Sequence, residues 1–329
     1  MTSTTTSRIP LNTFAIGFGL AGLAEAWDAA GASLGLPPIV VQAFWAVAAV
    51  AWLWLLVAHL TRGIRSGEPL AGQLRHPGQG PIAALAPITG MLIADDLLTV
   101  AEPVGLALFL VSLVAATIFA AWLIGRWLQG GLALESVHGG YLLPTVAAGL
   151  VGASVAAKAG LTLLGWGLFG VGVFFWMIMT LLVMIRLAFR RSLPDPLVPT
   201  MAILVAPPAV AGLAWFSLRG IHADRVGAMI AGLGVLLVLI QLALLPRYLR
   251  LGFSLGFWSF TFPTAAVVAD AIVWLRLTPS SAAEVGTVIL IVALTILIAS
   301  IGIRSLLDAV PSSRRLGAET VLTIADDAD

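Results

Sequence analysis

The sequence predicts an all-α membrane protein, and three observations carry that prediction. Of 329 residues, 60% are hydrophobic and only 10% charged, where a soluble domain carries about 25% Asp, Glu, Lys and Arg. Mean hydropathy is +1.05. The apolar residues gather in ten runs, each near the ~20 residues that cross a hydrocarbon core about 30 Å thick at about 1.5 Å per residue. With 17 basic and 16 acidic residues, the chain cannot cover the surface of a water-soluble fold of this length. No triplet repeat, heptad seam or charge excess supports a collagenous, coiled-coil or disordered chain.

In order, the runs are 12–31, 38–61, 80–98, 104–128, 139–157, 161–186, 197–217, 226–245, 254–276 and 285–307. The connectors are short, so no soluble domain is inserted. Residues 1–11 form an N-terminal segment, 12–307 the membrane domain and 308–329 a polar tail. The tail ends in Asp326, Asp327 and Asp329, and its composition predicts disorder. Met1–Asn12 is rich in Ser and Thr with one arginine. It lacks a basic n-region and a small-residue cleavage site, so no cleaved signal peptide is expected.

Basic residues in the connectors orient such a protein. An inside N-terminus puts 13 of the 17 on one side: Arg8, Arg62, Arg65, Arg75, Arg126, Arg186, Arg190, Arg191, Arg247, Arg250, Arg304, Arg314 and Arg315. The other side keeps Lys158, Arg219, Arg225 and Arg276. Both termini are therefore expected in the cytoplasm, with the chain in the inner or plasma membrane. There is no cysteine, which removes disulfides and thiolate chemistry. A net charge of +1 gives no footprint for nucleic acid.

Prolines alternate with the spans. Pro87, Pro144, Pro207, Pro208 and Pro263 fall near the middle of spans three, five, seven and nine, and the even spans have none internally. Span one has no proline but carries the glycine-rich stretch Gly17–Gly22, with Gly17 and Gly19 as its candidate kink. The spacing reads as five successive helical hairpins, each with one kinked and one straight helix. A mid-span proline frees a carbonyl one turn back, which is tolerated at membrane depth only against protein or a watery cavity. The kinked odd helices are thus expected to form an inner ring around a central pore in a quasi-five-fold arrangement, with the straight helices outside.

Carboxylates within the spans are Glu25 and Asp28 in the first, Asp95 and Asp96 in the third, and Asp270 in the ninth, all in the outer part. They read either as an interfacial cap reaching headgroups or Arg276, or as a proton site or cation-attracting mouth. In "FWSFTFP", Phe260 and Phe262 flank the kink of an inner helix. Core packing is the simpler role for them; the other is a ring that closes an apolar conduit by steric block and dewetting. No protease, hydrolase, nucleotide-loop or potassium-filter motif occurs, and His59, His76, His138 and His222 show no ligand spacing. No enzyme, cofactor or metal site is expected.

The stretches "FAIGFGLAGLAEAW", "LRHPGQGPIAALAPITGMLIADDLL", "YLLPTVAAGLVGAS", "PTMAILVAPPAVAG" and "GFWSFTFPTAA" together resemble the tellurite-resistance and dicarboxylate transporter family. That family includes bacterial tellurite-resistance proteins, fungal malate permeases and plant guard-cell slow anion channels. The match runs in order through all five odd spans. The resemblance implies ten helices in five hairpins, a homotrimer with a pore in each protomer, and a phenylalanine gate in the ninth helix that falls on Phe262. It also implies that the prolines sit at kink positions and that Asp95 stands where bacterial relatives carry an acid. Glu25 departs from the pattern, occupying an apolar position of the family. The leading function is a passive channel for small monovalent anions such as chloride or nitrate, since weak binding lets an ion leave. The alternative is a proton-coupled transporter or exporter of dicarboxylates, tellurite or another organic anion, motivated by the five carboxylates.

Overall fold

The computed structural model describes residues 8–67 and 69–309. Its elements are helices α1 (Phe14–Leu34), α2 (Pro38–Ser66), α3 (Leu70–Arg75), α4 (Leu85–Val100), α5 (Glu102–Leu128), α6 (Ala148–Lys158), α7 (Thr162–Phe189), α8 (Ala206–Arg219), α9 (Arg225–Tyr248), α10 (Thr261–Arg276) and α11 (Ser281–Ala309). No strand occurs among the described residues. The tail after Ala309, with its acidic end, lies outside them, as do residues 1–7. Nine helical stretches among the described residues are long and apolar enough to cross a membrane. α1 is of similar length, 21 residues, but Glu25 and Asp28 dilute its apolar character. The short α3 has no counterpart in the spans read from sequence.

Burial separates the stretches into two sets. In Gly139–Lys158 and Asp195–Arg219, 89% of the apolar window is buried, against 17% in α7 and 6% in α9. The inner stretches are built of small residues: Ala21, Ala24, Ala94, Ala153, Ala211, Ala214, Ala265 and Ala269 are all inaccessible or nearly so. The outer helices instead expose large apolar side chains such as Val50, Trp54, Phe174, Met177, Leu239 and Ile296, which suits hydrocarbon and not water. Small residues inside let helix backbones approach closely, the usual basis of association in lipid. α1, α4, α6, α8 and α10 pack neighbour to neighbour, and α10 returns to α1. Each also packs on the helix that follows it in the chain: α1 on α2, α4 on α5, α6 on α7, α8 on α9 and α10 on α11.

The prolines act differently from a mid-helix kink. A 3-10 segment, Gly80–Ala84, precedes α4; Asp195–Val205 precedes α8, and Leu255–Phe260 precedes α10. Before α6 the chain makes a 3-10 turn at Gly139–Leu142 and a π turn at Leu143–Ala147. Pro87, Pro207, Pro208 and Pro263 then lie in the first turn of the α-helical half, and Pro144 in the π turn. First-turn N–H groups have no intrahelical acceptor, so a proline there removes no α-helical bond. The irregular backbone is the segment before the proline; it is largely buried before α4, α6 and α8, whereas in Leu255–Phe260 only Trp258 is buried and the rest is half-buried.

Glycine sets the closest helix approach. A Cβ on Gly149 of α6 would stand 2.8 Å from the backbone nitrogen of Gly172 on α7, whereas one on Gly167 meets nothing within 4 Å. Gly149→Leu should therefore lower stability in detergent by about 1–3 kcal/mol through overpacking, and Gly167→Leu should leave it unchanged. Thermal unfolding of the two variants side by side checks this.

Candidate functional site: an apolar cavity lined by two stacked rings

A cavity of about 400 Å³ lies among the inner elements. Its lining follows a three-residue step: Asn12, Ala15 and Phe18; Gln79, Ile82 and Leu85; Leu197, Thr200, Ile203 and Ala206; Gly256, Ser259 and Phe262. Residues three apart eclipse one another in a 3-10 helix, so the irregular halves before α4, α8 and α10 each present one straight row of side chains to the cavity, while Ala15 and Phe18 belong to the regular helix α1. Leu143, Val146 and Leu150 add a fifth row from the π turn and α6. The mouth is bordered by His76, Gly78, Pro194 and Ser254, from the connectors on the side that carries most of the arginines. His138 lies fully buried beside this mouth. Its Nδ1 accepts the Gly140 N–H at 3.1 Å, and burial pushes its imidazole down to about 4, so it is neutral there.

At its inner end the cavity meets Phe18 of α1 and Phe262 of α10. Their rings stack with centroids 3.7 Å apart and planes 20° from parallel, and both are buried. Glycine makes this possible: a Cβ on Gly22 would stand 2.8 Å from Cδ2 of Phe262. Thr261, fully buried, donates its hydroxyl to the Trp258 carbonyl at 2.7 Å, fixing the turn that carries the ring. Phe260, the other aromatic read as a gate candidate, points elsewhere. It meets Tyr248 edge-on at 4.9 Å and Phe257 at 5.6 Å, away from the cavity.

The other predicted site residues divide. Pro207 and Pro263 border the cavity. Pro87 lies instead in an outer groove with Phe14, His59 and Phe119. Pro208 faces α9 at Gly234, and Pro144 is buried in the π turn. Gly17 packs on Trp52 of α2, and Gly19 on Thr261 and Trp258. α1 runs unbroken through both glycines, so they serve helix approach and not a kink.

The five carboxylates sit beyond the rings, toward the far ends of α1, α4 and α10. Arg276, one partner that the cap reading allowed, is within electrostatic reach of Asp28; the ion pair itself joins Asp95 to Lys158, the last residue of α6, at 2.5 Å. Lys158 is also within electrostatic reach of Glu25 and Asp28. Asp96 accepts the Gln42 amide at 2.8 Å. Asp270 is 9% exposed and faces Gly212 of α8, and its Oδ1 has no hydrogen-bond partner. Sequence reading missed Phe18, Gly22 and Lys158. Lys158 looked like an ordinary connector charge, and only the α4–α6 packing brings it to Asp95.

An all-helical, lipid-faced protein with an apolar cavity enclosed by its buried helices is an integral membrane protein of the channel and transporter class. Residues 8–306 match the family described as SLAC1, voltage-dependent anion channel, and the chain belongs to that family of membrane anion channels and transporters. It is 27% identical over 264 residues to the tellurite resistance protein TehA homolog of Haemophilus influenzae, covering 80% of each chain. It is 24% identical over 278 residues to the guard cell S-type anion channel SLAC1 of Arabidopsis thaliana, covering 80% of this chain and 49% of that one. The S-type anion channel SLAH3 of the same plant is 23% identical over 311 residues, covering 92% of this chain and 48% of that one. The chain thus spans about half the length of the two plant proteins.

The ion pair yields a prediction. Lys158→Met leaves the Asp95 carboxylate without its partner and should destabilise the protein by about 1–3 kcal/mol. That is less than the ~3–5 kcal/mol of a fully buried pair, because the lysine side chain is 43% exposed. Lys158→Met with Asp95→Leu should recover most of the loss, and a thermal-unfolding double-mutant cycle measures it.

Proposed function

We propose that this chain is a passive channel for small monovalent anions, chloride and nitrate among them, with the Phe18–Phe262 stack as its closed gate. The pore lies within each protomer of a homotrimer. The membrane domain is ten spans in five hairpins, odd spans inside, and both termini face the cytoplasm of the inner or plasma membrane. The observation that carries the reading is the cavity: rows from five inner elements that are largely apolar, with Asn12, Gln79, Thr200 and Ser259 as neutral polar members and no lysine or arginine among them, meeting two stacked rings. Such a conduit holds an anion weakly, through pore width and dehydration, and so lets it leave. The arginine-bearing connectors at the mouth raise the local concentration of anions there.

In this reading Phe262 is the movable element. Phe262→Ala should raise anion conductance by about tenfold or more, the equivalent of removing ~1.4 kcal/mol from the barrier. Its reversal potential should follow the chloride gradient when recorded in oocytes or bilayers. A reversal potential indifferent to that gradient rejects the channel.

One observation favours a second reading, a proton-coupled carrier or exporter of dicarboxylates, tellurite or another organic anion. Asp270 is a buried carboxyl with an unpartnered oxygen, and such groups at membrane depth are typical of proton relays. Labelled malate flux in proteoliposomes separates the two. A carrier loses pH-gradient-driven uptake on Asp270→Asn, whereas a channel keeps its Phe262→Ala chloride current unchanged in that background.

A further inference from the structure

The outer helices do not cover the inner ones evenly. α2 packs on both α1 and α4, α5 on α4 and α6, α7 on α6 and α8, and α11 on α10 and α1. α9 packs on α8 and the segment before it, with no comparable contact to α10. The outward face of α10 is therefore left open, and a groove of about 530 Å³ runs along it between α9 and α11.

Most polar groups of the groove are turned inward on the protein. Gln241 donates to the Met201 carbonyl at 3.2 Å and accepts the Tyr248 hydroxyl at 2.6 Å. Thr264 donates to the Phe260 carbonyl and Ser300 to the Leu297 carbonyl, each at 2.7 Å. What remains for an occupant is a hydrocarbon wall, floored by Phe253, Phe257 and Phe260. Arg304 of α11 lines the same groove and has no carboxylate within ion-pair distance among the described residues. It stands on the mouth side of the molecule, one residue before Ser305, which accepts the Trp258 indole N–H at 2.9 Å.

We propose that this groove binds an anionic phospholipid of the leaflet on the mouth side. Its acyl chain lies along the phenylalanine floor and its phosphate pairs with Arg304. The charge complementarity commits the occupant: Arg304 is exposed within the last two turns of α11, on the mouth side, where a phosphate satisfies it with charge-assisted hydrogen bonds and a neutral apolar partner offers it none. Phe260 belongs to the segment Leu255–Phe260 that leads into the Phe262 turn. A bound chain thus orders the approach to the ring from its lipid side. Binding itself does not depend on the channel reading.

The purified protein tests this by native mass spectrometry with added phosphatidylglycerol or phosphatidylcholine. Phosphatidylglycerol should be retained preferentially. Arg304→Gln should weaken that preference by about fivefold, as expected for one basic residue at an anionic membrane. Val267→Trp and Leu242→Trp, which fill the groove from different helices, should each abolish retention while leaving the thermal unfolding profile cooperative. Retention of phosphatidylglycerol unchanged in all three variants overturns the proposal. So does efficient cross-linking between copies through Leu242→Cys and Leu297→Cys in this otherwise cysteine-free chain, which would make the groove a seam between subunits.

Discussion

Every backbone N–H and C=O at membrane depth must find its partner within the protein, and the segments of this chain that strain that rule are the ones that build its cavity. The 3-10 and π segments before α4, α6, α8 and α10 have poorer hydrogen-bond geometry than an α-helix. Side chains help them: Gln241 reaches the Met201 carbonyl, and Thr200 donates to Leu197 at 2.6 Å. Such backbone is stable only when shielded from lipid. The straight outer helices supply most of that shield with bulky apolar side chains that need no polar partner, and beside the open groove Phe257 and Phe260 cover their own segment.

From this division the chemistry of the two ends follows. The irregular halves line the open cavity, while the regular α halves, rich in alanine and glycine, close against one another. Charge is confined to the ends. On the far side a single lysine meets Asp95 and stands near Glu25 and Asp28, so the acidic ends of the inner helices are partly neutralised. The aromatic pair lies where the two halves join, and glycine at position 22 is what allows a phenyl ring to lie flat there.

Much of this was legible in the sequence because hydropathy and proline spacing are local signals. The span limits agree with the helices to within a few residues, and the distinction between proline-bearing and proline-free runs matches buried and lipid-exposed stretches. The fine geometry was not legible. A proline in the sequence does not say whether it interrupts an α-helix or starts one after a 3-10 stretch, and that choice rests on what packs around it. Likewise Phe18 and Phe262 are 244 positions apart and Asp95 and Lys158 are 63 apart; only the packing of α1 on α10 and α4 on α6 makes them pairs. Gly17 and Gly19 read as a kink because glycine loosens a helix, yet here their missing side chains let neighbouring helices come close.

The segment Asp195–Val205 shows what the irregular backbone does for economy of chain. A 3-10 helix rises about 2.0 Å per residue and an α-helix about 1.5 Å. These eleven residues therefore reach about 22 Å where an α-helix would reach about 16 Å. An inner element of ordinary length can thus extend past the hydrocarbon boundary into the headgroup zone without added residues. Each residue wound as α-helix instead would shorten that stretch by about 0.5 Å and turn its row of side chains away from the cavity, so the winding itself sets both the length and the facing of the wall.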